Sequence, residues 1–230
     1  MLIFAPITAL ATPQVTADLS NGASYTFDIG SKLPAFTFKV IPNKVNPDDF
    51  GNPQSTIRDV EVFRGNSSQP VQHLTGCEFT EMEPPQRGRN WFRTEDINFD
   101  GYEDIYILTN WGATGNEAGC VWLYSRASER FDYSPEFSKL SRHWLDPATK
   151  MILTFERAGA AGMNHTANKY AVEKNLPVLI YSEDQGRVDD NDFHCKIQER
   201  RNGAMATTFE DTGEAPPPCN SGSVFQTFFR

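Results

Sequence analysis

Asp96-Ile97-Asn98-Phe99-Asp100-Gly101-Tyr102-Glu103-Asp104-Ile105-Tyr106-Ile107-Leu108-Thr109 joins an oxygen-rich loop directly to an apolar run. Side-chain oxygens fall at every second position around Gly101, which is the ligand spacing of a calcium loop. Such a loop takes oxygens from its positions 1, 3, 5, 7 and 9, with glycine at 6 for the sharp turn. Here these are Asp96, Asn98, Asp100, the backbone carbonyl of Tyr102, and Asp104. An EF-hand would need glutamate at position 12, where Ile107 stands, so the helix-loop-helix sensor is excluded and any bidentate ligation falls to Asp104. Ile105–Thr109 instead reads as a buried strand. The segment is therefore a loop running into β-structure, with Ca2+ as the expected ion, because three acids and an amide crowded into nine residues repel one another without a cation.

Working outward, the rhythm stays β. Asn21-Gly22 is a two-residue hairpin signal, both positions having to accept positive φ, and joins Val15–Ser20 to Ser24–Ile29. Asn202-Gly203 does the same between Cys195–Arg201 and Ala204–Phe209. Further strands are expected at Ala35–Ile41, Ile57–Phe63, Pro70–Leu74, Val121–Ser125, Met151–Glu156, Thr166–Val172 and Pro177–Ser182. One short connecting helix is expected over Ser134–Leu140, with Ser134 as cap and Pro135 in the first turn. The expected fold class is all-β, with antiparallel hairpins in a sandwich or a small propeller-like arrangement. The calcium motif occurs once, against the several copies of a repeat propeller.

The chain has 230 residues and a formal net charge of −9. No basic stripe is visible, so nucleic acid is not an expected partner. Residues 1–11, apolar and ending Ala9-Leu10-Ala11, read as the remnant of a signal peptide. Residues 12–230 then form a single all-β calcium-binding domain, with the hairpin region 12–50 either part of it or a separate subdomain. No stretch reaches the ~20 apolar residues of a membrane span. The four cysteines, Cys77, Cys120, Cys195 and Cys219, form no Cys-x-x-Cys pair. An even number in an exported chain suggests two disulfides, with three pairings open; the sequential one, Cys77 with Cys120 and Cys195 with Cys219, closes the shortest loops. Periplasmic or secreted localisation follows. The sequence contains no Gly-x-Ser-x-Gly elbow, no His-Glu-x-x-His helix and no phosphate loop, and a non-enzymatic protein is expected.

The order Asp-x-Asn-x-Asp-Gly-Tyr-x-Asp at 96–104, Gly112-Ala113-Thr114-Gly115-Asn116, Trp122-Leu123-Tyr124, Phe131 and Ser134-Pro135 resembles a family of bacterial periplasmic proteins with one calcium loop. That family includes immunity proteins against peptidoglycan hydrolases delivered by type IV secretion. Ile57–Val62 followed by Gln69–Leu74 resembles its strand pair before the loop, and there is a looser similarity to FG-GAP and VCBS calcium repeats. The resemblance implies a non-enzymatic calcium-binding protein whose partner is a lysozyme-like peptidoglycan hydrolase. The family's lipoprotein cysteine has no counterpart here, since the first cysteine is Cys77. In this setting Gly112, Thr114, Gly115 and Asn116 form the candidate partner-binding loop: glycines permit close backbone approach and Thr114 and Asn116 offer hydrogen bonds. The alternative is a surface or adhesion module in which calcium only stabilises the fold.

Overall fold

The computed structural model describes residues 22–43, 57–78, 91–159, 164–189, 192–213 and Cys219. Among the described residues, fourteen strands form three antiparallel sheets, each a meander in which sequence neighbours pair, and one short helix links the second sheet to the third. The first sheet is β1 (Ala23–Phe27), β2 (Phe36–Pro42), β3 (Ile57–Arg64) and β4 (Gln72–His73). The central sheet is β5 (Phe92–Glu95), β6 (Asp104–Trp111), β7 (Glu117–Ser125) and β8 (Arg130–Tyr133). After α1 (Pro135–Ser138), the third sheet runs β9 (His143–Asp146), β10 (Met151–Gly159), β11 (Asn164–Glu173), β12 (Leu176–Arg187), β13 (Phe193–Arg201) and β14 (Ala204–Gly213).

Alternation along the strands sets the layers. In β2, Phe36, Phe38 and Val40 are fully buried while Thr37 and Lys39 are not, the period-two pattern of a sheet with one face on a core. These side chains meet Phe92, Trp122, Tyr124 and Phe131 of the central sheet in one cluster. Its aromatic rings pack edge-on and tilted, as in Phe38–Phe131 at 5.3 Å and Phe36–Phe131 at 5.4 Å. β6 and β7 are buried on both faces: Ile105, Ile107 and Trp122 enter that cluster, whereas Tyr106, Val121 and Leu123 pack with Phe137, Leu140 and Ile152 behind it. Burial on both sides is why Ile105–Leu108 reads as continuous apolar sequence rather than alternation. The outcome is a stacked, sandwich-type all-β fold.

Covalent and polar ties join the layers. The disulfides are Cys77–Cys120 and Cys195–Cys219, the sequential pairing, with Cα separations of 6.2 and 6.0 Å. Gln72 clips β4 to β8, donating to the Phe131 carbonyl at 2.6 Å and accepting its N–H at 2.9 Å. Gly119 is required by close approach, since a Cβ there would lie 2.3 Å from the Tyr106 ring.

Several expectations change. The Val15–Ser20 strand and Asn21 lie outside the described residues, and β1 pairs with β2. Pro70–Leu74 contributes only the two residues of β4. Ser134 has extended cap geometry but makes no side-chain cap bond; instead its carbonyl accepts from the Ser138 hydroxyl at 2.7 Å. β5, β8 and β9, four residues each, were not expected, because strands that short carry too little alternation to stand out. Among the described residues no helix is long and apolar enough to cross a membrane.

Candidate calcium loop and recognition hairpin

The loop before β6 is folded by its own acidic side chains. Asp96 accepts the Asp100 and Gly101 N–H groups, each at 2.9 Å. Asn98 Oδ1 accepts the Asp100 N–H at 3.2 Å, and Asp100 Oδ1 accepts that of Tyr102 at 3.0 Å. Phe99 and Gly101 have φ of 58° and 91°; the left-handed turn is the reason for glycine at 101. The loop also touches all three sheets. The Glu103 N–H donates to Ile29 O at 2.8 Å, Lys150 reaches the Phe99 carbonyl at 3.5 Å, and Asn98 donates to Asn175 Oδ1 at 2.7 Å.

The five expected ligand positions divide into two groups. Asp96, Asn98 and Asp100 share the turn, followed by Tyr102, whose ring packs on Tyr124 at 5.4 Å. Asp104 is different: it is fully buried, and its two oxygens accept the Ile97 N–H at 3.1 Å and the Tyr124 N–H at 2.8 Å. It anchors the loop to β7 rather than facing outward. Burial raises the Asp104 carboxyl to about 8, helped by the charges of Asp100 and Asp96, with the Tyr124 and Ile97 N–H groups acting the other way. Asp96 is also raised, burial again being the main cause. Among the described residues no three His, Cys, Asp or Glu side chains stand together as a preformed metal cage. The loop's donors nevertheless fit a hard cation: two carboxylates, an amide oxygen and a backbone carbonyl, all oxygen.

Gly112–Asn116 caps the β6–β7 hairpin. It closes through Gly112 N–H to Asn116 O at 2.9 Å and Gly115 N–H to Gly112 O at 2.8 Å, with Gly115 at φ 82°. Ala113 and Thr114 are exposed at the tip. Asn116 is committed elsewhere. Its amide donates to Arg157 O and accepts the Arg157 N–H, both at 2.9 Å, pinning the hairpin to β10. Of the two proposed polar contacts, only Thr114 therefore remains at the tip. β6 has eight residues, so loop and hairpin stand about 24 Å apart at opposite ends of the strand.

Two features were not legible in the sequence. Arg93, Glu95, Glu117 and His143 form a cluster between the central and third sheets, with His143 Nε2 2.6 Å from Glu95 Oε1 and Arg93 over the Tyr106 ring at 3.7 Å. Burial opposes ionisation of Glu95, but His143 and Arg93 outweigh it and hold the carboxyl at about 2. The His143 side chain has no exposure, and the cluster ties the two sheets together. A cleft of about 550 Å³ beside the loop is lined by Asp100, Asp132, Tyr133, Glu136, Asn175 and Leu176, among others. Elsewhere, Asp189 accepts the Asp192 N–H at 2.9 Å.

No protein-family model and no curated protein matches this chain. A solved structure described as that of a Xanthomonas type IV secretion system related protein is similar in fold, with a TM-score of 0.61. The match covers 85% of this chain and 98% of that one at 18% identity. At that identity the likeness concerns the fold. The two disulfides fit an extracytoplasmic location.

Proposed function

We propose that this chain is a non-enzymatic, extracytoplasmic binding protein that holds one calcium ion in the 96–104 loop. It presents the Gly112–Asn116 hairpin to a lysozyme-like peptidoglycan hydrolase, as an inhibitor of the immunity type. The observation that carries the reading is the pinned hairpin: the Asn116–Arg157 pair of bonds pre-orders a glycine-rich tip, and a pre-ordered tip loses less entropy on entering an enzyme cleft. The fold likeness to a secretion-system-related protein supports the same reading. Asp96, Asn98, Asp100 and the Tyr102 carbonyl would hold the ion, with Asp104 anchoring the loop beneath it. A bound calcium supplies positive charge that ties the three sheets where the loop joins them.

A second reading, a surface or adhesion module, draws on the separation of loop and hairpin along β6, which makes calcium a stabiliser of the fold alone. One experiment distinguishes them. Lysis of purified peptidoglycan by a panel of lysozyme-like enzymes is followed with this protein present, in calcium and in chelator. Inhibition of at least one enzyme, weakened by Thr114→Ala, is expected. Inhibition of none favours the module, and lysis by the protein alone would make it an enzyme.

A further inference from the structure

The 96–104 loop is held by a residue 77 positions away. Asn98, itself buried, donates to Asp100 Oδ2 at 3.0 Å and to Asn175 Oδ1 at 2.7 Å, while its own oxygen accepts the Asp100 N–H at 3.2 Å. An amide side chain has an oxygen end and a nitrogen end of nearly the same shape, and its hydrogen-bond partners decide which end points where. An acceptor oxygen on Asn175 can be met only by the nitrogen end of Asn98. The Asp100 carboxylate takes the same nitrogen end, and the oxygen end is left on the Asp100 N–H that Asp96 Oδ1 also accepts. Calcium takes oxygen and not an NH2 group, so the orientation matters to the ion.

Asn175 is well placed for this. It sits in the two-residue turn between β11 and β12, where Lys174 and Asn175 have φ of 51° and 65°, and paired long strands on either side fix the turn. Asparagine tolerates this left-handed conformation better than most residues, so one side chain serves both the turn and the loop. Next to it, Leu176 is half exposed, and both line the cleft that Asp100 borders.

We propose that Asn175 is the positioning residue of the calcium loop: it holds the Asn98 amide with its oxygen toward the ion, and calcium binding is thereby coupled to the β11–β12 turn that walls the adjacent cleft. This rests on the calcium reading given above. Coupling of this kind is reciprocal, so whatever displaces the turn also weakens the ion.

The test is calorimetric titration with calcium chloride of the full chain and two variants. Asn175→Gly keeps the left-handed turn without strain but removes the acceptor; Asn175→Asp keeps an acceptor oxygen. Loss of such an outer partner lowers metal affinity by roughly tenfold or more, so Asn175→Gly should bind about tenfold weaker and Asn175→Asp should restore binding. Both should keep the wild-type circular dichroism in chelator. Hydrogen exchange at residues 174–176 should slow on adding calcium to the wild type. Equal affinities for wild type and Asn175→Gly, or exchange at 174–176 that ignores calcium, overturn the proposal while leaving the calcium loop standing. A wild type that does not bind calcium overturns both.

Discussion

Replacing Asn116 by alanine tests whether the hairpin is held by its contact with Arg157. The side chain makes two hydrogen bonds of 2.9 Å to the backbone of Arg157, one donated and one accepted. A net hydrogen bond contributes ~0.5–1.5 kcal/mol, and this site is open enough for water to replace part of it. The two together should then be worth about 1–2 kcal/mol. For a domain of this size each kcal/mol moves the melting temperature by roughly 2–4 °C, giving a drop of about 2–8 °C. Hydrogen exchange should speed up both at residues 112–116 and at Arg157, because a pinned pair opens together. Thr114→Ala, at the exposed tip, should leave both readouts unchanged and affect partner binding alone. From sequence, both residues are equivalent recognition groups; the structure separates them. An unchanged melting curve and unchanged exchange in Asn116→Ala would refute the reasoning.

Asp104→Ala takes the acceptor from the Tyr124 N–H in a fully buried site and leaves the Ile97 N–H only its 3.0 Å bond to the Glu95 carbonyl. At ~1–3 kcal/mol for the unsatisfied Tyr124 group and ~0.5–1.5 for the lost bond to Ile97, urea unfolding in chelator should show a loss of about 1.5–4.5 kcal/mol; a loss under 1 would remove Asp104 as the anchor. At free calcium about a hundredfold above the dissociation constant, the ion should add roughly 2.7 kcal/mol. A melting curve in calcium should then lie above one in chelator, and Asp100→Ala should merge the two; coincident wild-type curves return the loop to an ordinary turn. Cys77–Cys120 spans 43 residues and Cys195–Cys219 spans 24, so by loop-closure entropy each bond contributes about 3–4 kcal/mol. Paired serine replacements should lower the urea midpoint in both cases, and a pair that leaves it in place contradicts the estimate.

Much of the strand pattern was legible. Phe36, Phe38 and Val40 announce β2 by alternation, and Asn202-Gly203 marks the β13–β14 turn, where both residues have positive φ, 53° and 85°. The expected strands Thr166–Val172 and Pro177–Ser182 leave room for a turn at 173–176, but the positive φ of Lys174 and Asn175 was not expected, because neither residue is glycine and long paired strands impose the conformation instead. The loop chemistry at Asp96, Asn98 and Asp100 could be read from spacing. The inward turn of Asp104 could not, since its partner Tyr124 arrives from β7 twenty residues later.

By itself, the sequence determined what depends on neighbours along the chain: which stretches extend, where turns accept positive φ, and where oxygens crowd within nine residues. Tertiary structure alone decided what depends on layers meeting. It placed Asn116 against Arg157, Asn175 against Asn98 and His143 against Glu95, contacts spanning 41, 77 and 48 residues. No local spacing encodes such pairs, because they form only when the buried apolar faces have already brought the sheets together.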